Sequence, residues 1–143
     1  MILNRPLGKK LIQLDDQFQH FALGQAEVYD GGPVEREKLI IAAWDWRDSS
    51  DSFRLYFGID INKAESLRKE NENIHIACFL GHSGWSHGQL EDELKLDSWV
   101  VSNLNLDLFQ QMNNKAKCWK SAISGISDEM KLLADAPEKP WRN

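Results

Sequence analysis

The segment 81–91, which reads GHSGWSHGQLE, holds the residues whose types and spacing could support chemistry. Its glycines would let a ligand approach the backbone, and a helix starting there would offer free N–H groups and a partial positive charge. Such a helix start suits a small anion or a peptide carboxylate, which would dock at the backbone of Ser86–Gln89. A nucleoside triphosphate is not expected, because the segment lacks the lysine of a Walker motif. The ligand-binding candidates are Gly84, Trp85, Ser86, Gly88, Gln89 and Glu91.

The same segment also has a purely structural interpretation. Ser86 would be the N-cap of a helix His87–Lys95, and Gln89 at its third position would complete a capping box. Trp85 before the cap and Leu90 at the fourth helical position could form a hydrophobic staple. Capping signatures of this kind are common, and this one explains most of the segment without any ligand.

A nucleophilic serine at this loop is weakly supported. Gly81 and Ser83 begin like a nucleophile elbow, but the second glycine comes one position early and Trp85 occupies its place. The chain has four histidines, so the residue types for a Ser-His-Asp triad are present, but no spacing favours one. We assign no catalytic residue.

A metal site is also weakly supported. His82, His87 and Glu91 could meet, since His87 and Glu91 are four apart on one predicted helix, but zinc sites normally show three or four spaced ligands. We expect His82 to pack by its ring and His87 to be solvated. The acidic run Glu91–Glu93 points in several directions, and Glu91 is spaced to pair with Lys95. No metal and no cofactor are predicted.

Length and composition fit one domain. The chain has 143 residues, of which 42% are hydrophobic and 27% charged, so it has enough apolar material for one core. Acidic residues outnumber basic ones, 22 to 17, and the formal net charge is −5. Nucleic-acid binders usually carry a basic face, and Lys9-Lys10 is the nearest approach to one here. Nucleic acid is therefore not an expected partner.

The chain start and the cysteines predict a cytoplasmic protein. Residues 1–6 lack the charged and apolar regions of a signal peptide, and no apolar run approaches the ~20 residues that span a bilayer. Cys78 and Cys118 do not form a disulfide framework. Cys78 alternates with apolar strand residues, so we expect a buried, inert thiol with a raised pKa. Cys118 is expected to pack on an amphipathic helix.

Strands and helices alternate along the chain, which indicates an α/β or α+β fold in one domain over residues 1–143. Asp60 is a good N-cap. A polar loop is predicted at 47–52 and an irregular tail at 135–143, whereas Phe18–Leu23 fits either type of element. The predicted strands are Met1–Asn4, Ala26–Tyr29, Lys38–Trp46, Phe53–Phe57, Ile74–Leu80 and Ser98–Ser102. The predicted helices are Lys9–Leu14, Ile61–Glu70, His87–Lys95 and two or three more within 103–134.

Four segments together resemble the YqgE/AlgH family. Segment 81–91, followed by Glu93-Leu94 and Ser98-Trp99, is similar to the family's G-Y-x-G-W-x-x-G-Q-L-E signature. Leu3–Leu7, Gly31–Val34 and Cys118–Ala122 are similar to its L-N-R-P, G-G-P-V and late W-x-x-A motifs. The resemblance covers residues 3 to about 126. It implies a bifurcated, mostly antiparallel sheet that forms a partial barrel with packed helices, in a bacterial cytoplasmic protein.

The sequence departs from the family pattern in three places. His82 stands where the family has tyrosine, and the tail after Gly125 lacks the family's glycine-containing ending. The chain also begins partway through the family's sheet, without its N-terminal strands. Either Met1 is not the true start, or the edge at Met1–Asn4 is covered by a second subunit, as in a homodimer.

The resemblance implies no particular reaction. The leading hypothesis is a non-enzymatic binding or regulatory protein that uses the loop Gly84–Glu91, with Trp85 as anchor, for a small anion or a protein partner. One alternative is a hydrolase that uses the Gly81–Glu91 loop with His82 or His87. Another is a transcription-associated regulator, a label that the family carries from genetics and that the charge balance disfavours.

Overall fold

The chain divides into two units, Met1–Ser83 and Gly84–Asn143; among the described residues, five strands and one α-helix lie in the first and four α-helices in the second. The structure is a computed structural model that describes residues 1–46, 53–103, 106–124 and 126–135. The predicted loop at 47–52 and the predicted tail beyond residue 135 lie outside the described residues. One domain over 1–143 stays a prediction.

The strands of the first unit form a single sheet. They are β1 (Pro6–Lys10), β2 (Glu27–Asp30), β3 (Val34–Trp46), β4 (Phe53–Ile59) and β5 (His75–His82). Their order is β1-β2-β5-β3-β4, and every neighbouring pair is antiparallel except β2 with β5. The predicted α/β class and the mostly antiparallel sheet are confirmed. The described strands form an open sheet, with β1 and β4 as edges, and do not close into a barrel.

Helix α1 (Ile61–Glu70) covers the core of the sheet, as its sequence predicts. The Asp60 side chain accepts a hydrogen bond from the Lys63 N–H at 2.9 Å, which satisfies one of the free donors of the first turn. Ala64 and Leu67, three positions apart, are buried. Ala64 joins the main apolar cluster, whose other buried members are Leu11, Leu23, Val28, Ile41 and Cys78.

Strand β5 is central in the sheet and carries buried residues on both faces. Cys78 belongs to the cluster under α1, and Phe79, on the opposite face, lies 5.6 Å from the Tyr29 ring between centroids. The predicted strand Ile74–Leu80 is confirmed, with a start and an end that lie one and two residues later.

The start of the chain differs from its prediction. Met1–Asn4 is not a strand; the Ile2 N–H donates one hydrogen bond to the Gly31 carbonyl at 3.0 Å. The strand begins instead at Pro6, whose missing N–H is harmless at the first position of an edge strand. The predicted helix Lys9–Leu14 is only a 3₁₀ turn at Leu11–Gln13 after β1, and further 3₁₀ turns follow at Asp16–His20 and Ala22–Gln25.

The second unit is helical. Helix α2 spans Gln89–Lys95, and the three later helices agree with the predicted two or three. The predicted strand Ser98–Ser102 is wrong, because this exposed segment has no ladder partner among the described strands. Met112, Cys118 and Ile123 are buried. The later helices are α3 (Leu106–Gln110), α4 (Lys115–Ser124) and α5 (Asp128–Asp135).

Candidate functional site

Two tryptophans share one carboxylate in the second unit. The indole N–H groups of Trp85 and Trp99 donate to the same Oε2 of Glu93, at 3.1 and 2.5 Å. The side-chain amide of Gln89 donates to the other oxygen, Oε1, at 2.8 Å. The two indoles meet edge to face, with ring centroids 5.8 Å apart and planes at 71°. We call Trp85, Gln89, Glu93 and Trp99 the indole clamp.

Hydrogen bonding to the ionised form controls the electrostatics of the clamp. The bond from Trp99 lowers the pKa of Glu93 most, followed by those from Gln89 and Trp85, while partial desolvation acts in the opposite direction. Bonds from N–H donors to a carboxylate are stronger than neutral ones. Glu93 therefore stays ionised and holds both rings in one orientation.

The clamp leaves much apolar surface in contact with water. Trp85 is 39% exposed and Trp99 is 50% exposed, although their polar atoms are bonded. Leu96, Val100 and Val101 lie beside them in the chain and are 77%, 55% and 75% exposed. Exposed apolar residues gathered in one segment are typical of an interaction surface.

The predicted capping pattern forms only in part. Helix α2 begins at Gln89 and not at His87, because its N-cap is Gly88 in the left-handed conformation, with φ of +78°. The Ser86 hydroxyl donates to Gln89 Oε1 at 3.2 Å and does not cap an amide. The reciprocal half of the capping box is present, since the Ser86 N–H donates to the same oxygen at 3.0 Å.

Trp85 and Lys95 have partners that were not predicted. The Trp85 indole bonds to Glu93 and contacts the Trp99 ring, and the staple onto Leu90 stays a prediction. Lys95 pairs with Asp92, three positions earlier, at 2.9 Å and not with Glu91.

The structure brings three of the six candidates together and separates the rest. Ser86 bonds to Gln89, and both Trp85 and Gln89 belong to the clamp. Gly88 shapes the start of α2, Gly84 is exposed, and Glu91 is exposed without a hydrogen bond or ion pair in the described part of the chain. The sequence interpretation missed Glu93 and Trp99. The spacing of four between Gln89 and Glu93 was the available signal.

In the first unit, three motif glycines lie where two backbone segments approach each other closely. A Cβ on Gly81, whose φ is +71°, would lie 2.5 Å from the Gly32 carbonyl oxygen and 2.9 Å from that of Val34. A Cβ on Gly31 would lie 2.2 Å from the Gly81 oxygen, and one on Gly32 would lie 2.4 Å from the His82 carbonyl carbon. Gly31, Gly32 and Gly81, which we call the glycine junction, therefore bring two backbone segments into direct contact.

No histidine or cysteine among the described residues takes part in the hydrogen bonds of the clamp. His82 Nδ1 is buried, and its 3.7 Å separation from Glu35 Oε2 is too long for a hydrogen bond. His87 is exposed. Burial raises the pKa of the Cys78 thiol to about 11, and burial also raises that of Cys118. Among the described residues, no three His, Cys, Asp or Glu side chains group as a metal site.

None of the helices in the described ranges is long and apolar enough to cross a bilayer. The chain is 28% identical to a UPF0301 protein of Chlorobium phaeobacteroides, over 99% of this chain and 77% of the relative. It is 30% identical to a UPF0301 protein of Parabacteroides distasonis, over 88% of this chain and 67% of the relative.

A solved structure matches the fold, and a family model matches most of the sequence. The solution structure of the AlgH protein from Pseudomonas aeruginosa aligns with a TM-score of 0.60 at 20% identity, covering 96% of this chain and 76% of that one. At that identity the match supports the fold alone. Residues 1–131 match the family model described as AlgH-like, DUF179. The chain therefore belongs to the AlgH-like family, as its motifs predicted.

Proposed function

We propose that this chain is a non-enzymatic binding protein that contacts a protein partner through the indole clamp and the apolar residues beside it. The observation that carries the proposal is the pair of tryptophans fixed by Glu93 while their faces stay exposed. Tryptophan is the residue most enriched at energetic hot spots of protein interfaces. Leu96, Val100 and Val101 extend the same apolar surface along the chain.

Pre-organisation explains why a clamp suits binding. A free tryptophan side chain loses rotamer freedom when a partner covers it, at a cost of about 0.5–1.5 kcal/mol for an immobilised side chain. Trp85 and Trp99 are already restrained by their bonds to Glu93 and by their edge-to-face contact. A partner that covers these two side chains therefore causes a smaller further loss of their conformational entropy.

The charges next to the clamp indicate the chemistry of the partner. Glu91 is exposed and has no ion pair within the described residues, and the whole chain carries a net charge of −5. Glu93 already accepts three hydrogen bonds, so it attracts a partner's cation less than Glu91 does. The partner that fits is a protein surface with an apolar centre flanked by lysine or arginine.

A protein partner fits this surface better than the small anion that the sequence also suggests. The N–H groups of Ser86 and Gln89 already donate to Gln89 Oε1 and to the Ser86 carbonyl, at 3.0 and 3.1 Å. Glu91 and Asp92 lie in the first turn of α2 and would repel an anion. Anion binding at this loop stays a prediction of the sequence.

The two alternative functions have less support. The hydrolase hypothesis needs a histidine beside the loop carboxylate, but the oxygens of Glu93 accept bonds from two indoles and an amide. The transcription-associated hypothesis is disfavoured by the net charge of −5 and by the lack of a Lys/Arg cluster in the sequence. The cytoplasmic location that we propose is supported by two free, buried cysteines, which are common in reducing compartments.

Site-specific photo-cross-linking in the native host tests the proposal. A photoreactive residue at Val101 is expected to give a discrete cross-linked protein, whereas one at the equally exposed Leu132 on α5 serves as the matched control. Adding Trp99→Ala is expected to remove at least 90% of the Val101 product, because truncating a hot spot costs about 2 kcal/mol or more.

The variants also separate loss of binding from loss of folding. The circular dichroism spectrum and Tm of Trp99→Ala should match those of the parent, since this side chain is half exposed. Equal cross-linking at Val101 and Leu132, or a Val101 product that survives both Trp85→Ala and Trp99→Ala, would refute the clamp as the binding surface.

A further inference from the structure

We propose a second binding site, in the first unit, for a small carboxylate with an apolar body. Two cavities there, of about 420 and 200 Å³, share Arg36 as a lining residue. The larger is in the size range of ligand sites, and the smaller adds a second arginine, Arg5. This site is independent of the indole clamp and of the partner proposed for it.

Arg36 is the residue that would hold the acid group. It has no ion pair and no side-chain hydrogen bond anywhere in the described ranges. Arg5, in contrast, lies 3.9 Å from Asp30, whose other oxygen accepts the Gly32 N–H at 3.2 Å. A guanidinium binds a carboxylate through two parallel N–H donors, so an unpaired arginine beside a cavity suits that ligand.

A strained bulge in β3 places Arg36 at the cavities. Four residues separate Val34 from Leu39, whereas only Gly81 separates their β5 partners, His82 and Leu80. The extra residues leave the ladder, and Glu35 among them adopts a left-handed conformation with φ of +46°. Non-glycine residues rarely adopt this conformation, and bulges and strain of this kind concentrate beside functional sites.

The glycine junction packs directly against the backbone of this bulge. A Cβ on Gly81 would lie 3.1 Å from the Cα of Arg36, in addition to its clashes with Gly32 and Val34. The backbone of Arg36 therefore rests directly on a residue without a side chain. Gly81 would therefore serve ligand binding through the position of Arg36, a role that the sequence analysis did not assign to it.

The floor of the larger cavity would hold the apolar body. Leu14, Phe18, Leu39 and Leu80 line it, and all four are partly buried against the main apolar cluster. Burying apolar ligand surface on them contributes about 25 cal/mol per Å² in transfer free energy, before the cost of association.

The acidic residues of the cavity limit the ligand to one negative charge. Asp15 and Glu37 line the larger cavity, so a second acid group on the apolar body would be repelled. Arg5 and Arg36 against Asp30 give the smaller cavity an excess of positive charge. The ligand class is therefore a monocarboxylate with an uncharged aromatic or aliphatic body.

Titration with 3-phenylpropionate, followed by NMR of the labelled full-length chain, tests the site. We expect saturable shifts at the Arg36 side-chain N–H and at the amides of Phe18, Leu39 and Leu80, with a Kd on the order of 1 mM for a ligand of this size. The neutral isostere 3-phenylpropionamide should bind at least about tenfold more weakly, because it lacks the charge that pairs with Arg36.

Paired arginine variants show whether Arg36 is responsible. Arg36→Gln should weaken 3-phenylpropionate binding at least about tenfold, while Arg54→Gln, with the same change of charge on neighbouring β4, should leave it unchanged. Both residues are exposed, so well-dispersed amide spectra are expected for both variants. Shifts that fail to cluster around the cavities, equal binding of the amide, or full binding by Arg36→Gln would each overturn the proposal.

Discussion

The glycine junction and the indole clamp are both built from motif residues, but different forces hold them. In the junction, backbone atoms of two segments approach so closely that no side chain fits between them. In the clamp, exposed side chains are joined by hydrogen bonds to one carboxylate. A family motif can therefore preserve the shape of the backbone in one place and the orientation of a surface in another.

The two features should respond differently to substitution. A close-packed backbone crossing cannot relax around an added atom without moving a strand. Hydrogen bonds at an exposed surface compete with water, so their loss changes local orientation more than global stability. Variants of the junction should unfold the first unit, whereas variants of the clamp should change its surface.

The largest expected effect is that of Gly81→Ala. Its φ of +71° costs alanine about 1–2 kcal/mol, and the clash with carbonyl oxygens adds about 1–3 kcal/mol, so the free energy of unfolding should fall by about 2–5 kcal/mol. Gly58→Ala in the same unit is the matched control, with φ of +67° but nothing within 4 Å of the added Cβ. It should lose only about 1–2 kcal/mol.

Urea unfolding of both variants measures this difference. The midpoint should fall much further for Gly81→Ala than for Gly58→Ala, with similar slopes. Equal losses would show that the conformation alone matters and that the backbone contacts at the junction are unimportant.

The sequence predicted the locally determined elements best. Helix α1 has its own N-cap at Asp60 and its own buried positions, and β5 is an apolar run of strand length, so neither needs information from elsewhere in the chain. The glycine junction was not predictable in this way, because residues 31–32 and 81 are brought together by the pairing of β5 with both β2 and β3, which are distant from it in sequence.

The candidate site was predicted in part for the same reason. Trp85 and Gln89 were identified because they belong to a motif, but Glu93 was taken as one of three solvated carboxylates. Trp99 was assigned to a strand, whereas its indole bonds to Glu93. The bond from Trp99 depends on how the chain turns after α2 at Leu96, and the bond from Trp85 depends on how it enters α2 at Gly88. Hydrophobic periodicity reports neither turn.

The cysteines extend the comparison to chemical reactivity. The pKa of Cys78 is raised from 9.0 to about 11 by burial in the core of the first unit, so the thiolate fraction at pH 8 should fall about a hundredfold. Cys118, in the second unit, has a raised pKa and lies 3.7 Å from the Leu108 carbonyl oxygen. We expect iodoacetamide to modify Cys118 first and Cys78 only as the first unit unfolds.

Peptide mass spectrometry over a time course measures this order. In 6 M urea the two thiols should react at similar rates, which controls for local sequence effects. Faster modification of Cys78 in the native protein would contradict the packing of β5 described above.

The smallest expected effect is the pH dependence of the clamp. Because its hydrogen bonds lower the pKa of Glu93 from the usual 4.5, the stabilisation they give is present above pH 4.5 and is lost as the pH falls through the folded-state pKa. The Nε1–H NMR signals of Trp85 and Trp99 should therefore shift together below pH 4.5, by loss of the shared acceptor.

Glu93→Gln should shift both signals already at pH 7, whereas Asp92→Asn, which removes the neighbouring carboxylate that pairs with Lys95, should not. Two indole signals that titrate separately, or that move in Asp92→Asn as much as in Glu93→Gln, would mean that no single carboxylate holds both rings. The surface would then lack the pre-organisation that distinguishes it from ordinary exposed tryptophans.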